Sequence, residues 1–317
     1  MIPALLSEAR RPLCLGIGGG GDVVGALATA EHCRLEHGAR PVVGGVSWER
    51  RPIDPVPGPR SAAEIEGARL LAPGVLAASA ATRVRGRDVR FAESRMAELL
   101  GEETVLVDAN EGPATLRAGL RDAAGILGCD LIVFVDVGGD VLAHGDERGL
   151  GSPLCDAVLL AAAGHLQRSD PLPVLAAVFG TGCDGELTPD EVEERFAEVE
   201  AAGGVLGSVH LTEPVAARLA EAVAVVPTEA SALAVRAFHG ETGMTPIREG
   251  RRTVDLRPIA AETRFFDPAA ALASAARLAA AVRDAVDLED ANSILGELGV
   301  YTELDWERDA PHTRPQR

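Results

Sequence analysis

The chain has 317 residues, 47% apolar and 25% charged, the balance of an ordinary soluble globular protein with room for one large α/β domain or two modest ones. Its formal net charge of −18 argues against a nucleic-acid partner, which calls for a basic face, and against adhesion to anionic membranes. All 30 basic residues are arginine, which excludes Schiff-base chemistry, lysine-bound pyridoxal phosphate and a phosphate-loop lysine.

Hydrophobic periodicity predicts alternating strands and helices. A strand at 13–18 leads into a helix at 22–37 and a second strand at 41–47. The proline-rich crossing at 50–61 forbids a regular ladder and reads as an ordered loop. Helices are predicted at 61–71 and 92–100, with short strands at 74–79 and 84–90. A strand at 104–108, a helix at 112–128, a strand at 130–136, a loop at 137–153, a helix at 154–166 and a strand at 173–179 follow. Thr188, Pro189 and the acids behind them open a helix that Gly203–Gly204 closes, and 205–211 is a strand. Helices are predicted at 213–223 and 228–239, two short strands within 253–266, and one long alanine-rich helix from Asp267 to Val286. The alternation, with no internal repeat or low-complexity linker, predicts a single α/β domain over 1–305. Its fold class is a doubly wound, Rossmann-like, mostly parallel sheet with helices on both faces, and 306–317 reads as a flexible tail.

Three glycine-rich loops directly follow apolar strands: "LCLGIGGGGD" at 13–22, "LIVFVDVGGD" at 131–140 and "PVLAAVFGTGCDGE" at 173–186. In an open parallel sheet, ligands bind beyond the carboxyl ends of strands, so these loops predict one small-molecule crevice. In the first, Gly16, Gly18 and Gly21 match the dinucleotide pattern. The acidic partner it needs falls late, at Glu49, with Arg50 and Arg51 behind it, which disfavours a nicotinamide dinucleotide. Gly18, Gly19, Gly20 and Gly21 instead leave backbone N–H groups for an anion, while Asp22 reads chiefly as a helix cap.

In the second loop Asp136, Asp140, Asp146, Glu147 and Asp156 fall within 136–156, beside Gly138, Gly139, His144 and Ser152. Such crowding needs an offset, from a magnesium or manganese ion, from arginine, or from a hydroxyl-rich substrate. Capping and turn roles compete for Asp156 and Asp146, and Asp136, at the strand's own end, is the foremost functional candidate. The third loop adds Thr181, Gly182, Asp184 and Glu186, with Cys183 read as a structural thiol. Trp48, Glu49, Arg50 and Asp54 sit on the stiff loop, where Trp48 either stacks on a ligand or plugs the core. Glu229 belongs to "TEAS", whose Thr228 is an ordinary cap and whose Ser231 lacks triad context. Arg248, Arg251 and Arg252 form either an anion clamp or a salt-bridged turn. No G-x-S-x-G elbow, HExxH motif or zinc-spaced cysteine pair is present. The five scattered cysteines read as reduced thiols of a cytoplasmic protein, and neither a signal peptide nor a membrane span is predicted.

"GIGGGGDVVGA", "WERRPIDPVPGPR", "VDVGGDVLAHGDERGLGSPLCDA", "GTGCDGEL", "TEAS" and "IREGRR", in order from about residue 10 to 267, resemble the family known as domain of unknown function 1152, seen in archaea and actinobacteria. The resemblance implies an α/β fold and no particular activity. From the residues themselves the expectation is a small-molecule enzyme, a metal-assisted hydrolase, lyase or transferase, that binds a phosphorylated or nucleotide-like metabolite. Asp136, Asp140 and Asp184 are the expected metal ligands, and the same three with Asp146 and Glu147 the expected catalytic set. A non-catalytic ligand sensor and a metal-independent lyase or cyclase with a carboxylate acid/base are the alternatives. Oligomeric state is not readable from the sequence.

Overall fold

In the computed structural model, which describes residues 3–309, the apolar runs become strands buried along their whole length. These are β1 (Pro12–Gly16), β2 (Val42–Val46), β5 (Thr104–Val107), β6 (Leu131–Val137) and β7 (Val174–Phe179). Strands buried on both faces belong to parallel sheets covered by helices. Here they pair in parallel, in the order β5-β2-β1-β6-β7. The helices between them are α2 (Asp22–His37), α3 (Ala92–Leu100), α4 (Pro113–Leu127) and α5 (Pro153–Ser169), with α1 (Ala4–Glu8) ahead of β1.

Antiparallel strands extend both edges into a nine-stranded sheet ordered β3-β4-β5-β2-β1-β6-β7-β11-β8. One edge is the hairpin β3 (Ile65–Ala72) and β4 (Val75–Val84), and the other is β8 (Val205–His210) with β11 (Glu262–Phe266). A separate hairpin joins β9 (Gly243–Ile247) to β10 (Arg252–Leu256). The remaining helices are α6 (Pro189–Ala201), α7 (Glu213–Val225), α8 (Glu229–Phe238), α9 (Pro268–Ala273), α10 (Arg277–Ala281), α11 (Leu288–Glu297) and α12 (Glu303–Asp309).

Alternate strand residues feed two cores. Leu13, Leu15, Ile132 and Phe134 pack with α4, α5, α6 and α9–α11, while Cys14, Leu131, Val133 and Val135 pack with α2, α7 and α8. The doubly wound expectation therefore holds, with antiparallel margins added. No helix among the described residues is long and apolar enough to cross a membrane.

Several local expectations give way to tertiary pairing. The predicted helix at 61–71 is one 3-10 turn, Ala62–Glu64, followed by β3. Gly67, at φ +76°, leaves the right-handed helical region, and the segment pairs with β4. The predicted strand at 84–90 is mostly the turn of a tight hairpin, bridged only between Arg83 and Arg90. The long helix predicted from Asp267 breaks at Ser274 (φ −130°, ψ −88°), whose hydroxyl bonds back to the Ala270 carbonyl. Residues 306–309 belong to α12 rather than to a tail, and 310–317 lie outside the described residues.

The layout places the three glycine-rich loops. From β1 the chain moves outward through α2 to β2, and β6 later returns to the other side of β1. The carboxyl ends of β1 and β6 thus form a topological switch point, where loops diverge and a ligand can sit.

Close seating of α2 on the sheet is testable at Gly25, where an added Cβ would lie 2.4 Å from Val137 Cγ2. Gly25→Ala gains about 1 kcal/mol of helix propensity. Overpacking of the α2–β6 contact costs about 1–3 kcal/mol. The expected net result is a lower urea midpoint, and an unchanged or raised midpoint would contradict the packing described.

Candidate functional site

The turn after β1 is built around backbone conformations that only glycine adopts without strain. Gly19 and Gly20 have φ of +80° and +54°, and the Gly20 N–H donates to the Trp48 carbonyl at 2.9 Å. The N-cap of α2 is Gly21, packed against Thr228, so Asp22 is not the cap the sequence suggested. It is the first helical residue, and its Oδ2 accepts the Gly18 N–H at 3.0 Å.

The second and third loops are tied together. Gly138 and Gly139 have φ of +130° and +121°, and the Gly182 N–H donates to the Gly138 carbonyl at 2.7 Å. A Cβ on Gly138 would lie 2.3 Å from the Asp184 carboxyl carbon, so glycine there makes room for the acid.

The three loops therefore converge, and α5 contributes a further acid. Asp22, Asp136 and Asp156 offer carboxylate oxygens within 4.8 Å of one another, as do Asp140, Asp184 and Glu186. Asp136, Asp140, Asp156 and Asp184 are only 1%, 5%, 2% and 7% exposed. Asp136 Oδ2, Asp156 Oδ1 and Asp184 Oδ1 are buried with no hydrogen-bond partner. Among the described residues none of the five aspartates has an arginine or histidine within ion-pair distance. Desolvation, and then repulsion among the acids, pushes Asp136, Asp140 and Asp156 well above the usual carboxylate range. The same causes raise Asp22 to about 7 and Asp184 to about 8.

The surrounding glutamates are differently placed, because each is neutralised by backbone amides and arginine. Glu186 Oε2 accepts the Gly151 and Ser152 N–H groups, both at 2.7 Å, and Oε1 accepts the Ser152 hydroxyl at 2.5 Å. Arg248 and Arg252 each approach Glu186 Oε1 at 3.5 Å from the β9–β10 hairpin. Arg251 does not join them, since its Nε–H donates to the Arg248 carbonyl within the turn. Glu229 is exposed and accepts the Arg248 N–H at 2.8 Å, so it braces the hairpin rather than the crevice.

Glu303 of α12 is a site residue with no signal in the sequence. Its carboxylate accepts the Leu154 and Cys155 N–H groups at 3.0 and 2.9 Å and meets Arg50 Nη2 at 3.2 Å. Arg50 also donates to the Gly18 carbonyl at 2.6 Å, so it spans the glycine loop and α12. Trp48 is fully buried and stacks beneath the Arg50 guanidinium at 4.1 Å, with its indole N–H donating to Glu307 at 3.0 Å. It is the core plug, and stacking on a ligand is ruled out. Glu49 is engaged elsewhere, accepting the Ala92 N–H at 2.5 Å at the start of α3.

Asp146 and Glu147 also stand apart from the acidic cluster, correcting their grouping with it. Glu147 accepts the His144 and Gly145 N–H groups, both at 2.8 Å, and Asp146 is exposed on the same turn. His144 is tied to Arg195 and Glu198 in an ion-pair network. Cys183 is fully buried and its thiol is pushed upward by burial, which makes it inert as expected.

The half-buried residues Gly18, Gly20, Gly21, Asp22, Arg50 and Ser152 border the cluster, while the acids behind them are nearly sealed. Chemically, this is a set of hard oxygen donors suited to magnesium or manganese. The chain belongs to the family described as "Protein of unknown function (DUF1152)", which matches residues 13–311. No curated protein and no solved structure matches it.

Two measurements on chelator-treated protein probe the electrostatics. Asp136→Asn replaces a carboxyl whose charge burial and its acidic neighbours disfavour with a neutral N–H donor, so unfolding free energy should rise by about 1–3 kcal/mol. A fall would mean that the wild-type carboxylate is already compensated. The pH dependence follows from Asp22 and Asp184, whose folded values of about 7 and 8 lie above the ordinary 3.8. Between these limits the folded state holds protons that the unfolded chain has released, so stability falls as pH rises. The melting temperature should be lower at pH 8 than at pH 5, with a smaller difference in Asp184→Asn. A higher value at pH 8 would contradict the assignment.

Proposed function

We propose that this member of the DUF1152 family is a divalent-cation-dependent enzyme acting on a small phosphorylated or nucleotide-like metabolite. The observation that carries this reading is the group of five aspartates, four buried and Asp22 half-buried, drawn from three loops and α5, with three unpartnered oxygens and, among the described residues, no arginine or histidine within ion-pair distance. Leaving charge so placed costs several kcal/mol per ion unless it is protonated or compensated. A site built only for stability would have been filled with apolar side chains.

The nature of the substrate follows from which helix start is less occupied. The amides at the start of α5 are already taken, by Glu186 on Gly151 and Ser152 and by Glu303 on Leu154 and Cys155. The start of the 16-residue α2 carries no such glutamate. The Gly18 and Gly20 N–H groups are taken by Asp22 and Trp48, and those of Asp22 and Val24 by the Gly19 and Gly21 carbonyls, which leaves the Gly19 and Gly21 amides and the helix dipole to favour an anion there. A phosphate there would be repelled by the bare aspartates, and a cation reverses the sign of the field it meets. Metal and phosphate should therefore bind cooperatively, with the metal first. Arg50, a quarter exposed at the border, is placed to offset charge on the outer part of the substrate.

A bound cation supplies polarisation of the phosphoryl oxygen and a more acidic water. Asp22, Asp136 and Asp156 would fix its position. Glu186, held by Ser152 and two arginines, orients the neighbouring loop. This division of labour suits hydrolysis, elimination or group transfer at a phosphorylated carbon or phosphorus.

A thermal-shift panel of nucleotides and sugar phosphates, each with and without magnesium, tests the reading. A ligand that binds only the folded state raises the melting temperature. The expected result is a shift with magnesium, a larger one with magnesium and a phosphorylated compound together, and none with the compound alone. Once a substrate is found, Asp136→Asn should lower turnover roughly 100-fold or more. Indifference to magnesium and manganese, or full turnover by that variant, would overturn the proposal.

A further inference from the structure

The side chains form two carboxylate cages rather than one, and we infer that the crevice holds two divalent cations that share a phosphate ester or anhydride as bridging ligand. This inference rests on the reading above that the aspartates bind a divalent cation at all.

The first cage is Asp22, Asp136 and Asp156, from the start of α2, the end of β6 and the first turn of α5. The second is Asp140, Asp184 and Glu186, from the turns after β6 and β7. Each has its own unpartnered oxygen on a side chain at least nine-tenths buried. In the first these are Asp136 Oδ2 and Asp156 Oδ1, at 1% and 2% exposure, and in the second Asp184 Oδ1, at 7%. One ion can satisfy the orphaned oxygens of only one cage. Glu186 Oε1, bonded to the Ser152 hydroxyl and flanked by Arg248 and Arg252 at 3.5 Å, stands at the border of the second cage, whose orphaned oxygen is that of Asp184.

The cages share a wall. Asp136 belongs to one and Asp140 to the other, so the end of β6 and the turn after it are the contact between them. Two ions on either side of that contact would be close neighbours, as in paired-metal centres where they lie about 3.5–4 Å apart. Charge points the same way. Five aspartates without ion-pair partners carry five negative charges when ionised. One divalent cation leaves three of them and still repels a phosphate. Two leave one, with Glu186 offset by Arg248 and Arg252 and Glu303 by Arg50. A phosphoryl group presents several oxygens from one centre and so reaches both ions at once.

Equilibrium dialysis of the chelator-treated full-length protein against manganese, read by metal content and electron paramagnetic resonance, decides the matter without an activity assay. Two manganese ions per chain with a spin-coupled signal, perturbed by inorganic phosphate, are expected. Asp22→Asn and Asp184→Asn should each retain one ion and lose the coupling. One uncoupled ion in the wild type would overturn the paired centre and leave the single-cation reading intact. No bound ion would overturn both, and two ions in either variant would overturn the division into cages.

Discussion

Like charges placed where solvent cannot screen them must lose their charge or acquire a counterion, and the cluster above β1 and β6 is organised around that choice. Asp22, Asp136, Asp140, Asp156 and Asp184 are brought together by parallel strands that all end on one side of the sheet. The glycines of the three loops owe part of their necessity to these acids. A Cβ at Gly18 would lie 2.6 Å from Asp22 Oδ2 and 3.0 Å from Asp156 Oδ2, and one at Gly138 would enter the Asp184 carboxyl. What reads in the sequence as a loop cleared for a ligand is, at these positions, a loop cleared for carboxylates.

Around this uncompensated centre lies a compensated shell. Glu186 and Glu303 spend their oxygens on the amides that open α5, and arginines at 50, 248 and 252 stand against them. Trp48 fills the volume beneath Arg50 and is pinned by Glu307, so the guanidinium rests on a rigid floor. The contrast is local, since three aspartate oxygens are unpartnered while Glu186 and Glu303 beside them are satisfied. Outside the cluster Glu93 is likewise buried with both carboxyl oxygens unpartnered.

The central sheet and the three loops were legible in the sequence because their signals are local. Continuous apolar runs marked β1, β6 and β7, and glycines with aspartates marked the turns after them. Asp156 was hidden because an acid in the first turn of a helix has an ordinary explanation in the helix dipole. Arg252 could not be separated from Arg251 without the hairpin register, which pairs Arg252 with Ile247 and carries it to Glu186. β3 resembled a helix because alanines and charges favour one locally, and pairing with β4 overrode that preference. Trp48 was ambiguous between ligand platform and core plug, and the partner that decides it, Glu307, lies 259 positions away.

That last distance has a bearing on biosynthesis. Ribosomes deliver the strands and the acidic turns first, whereas α12, which supplies Glu303 and Glu307, emerges after all of them. Until it docks, Arg50 has no anionic partner from α12, the Leu154 and Cys155 amides are bare, and the indole of Trp48 lacks its acceptor. The crevice is thus completed by a long-range closure, the slowest kind of contact for a chain to find. A nascent polypeptide would carry the aspartates without the scaffold that holds them in register.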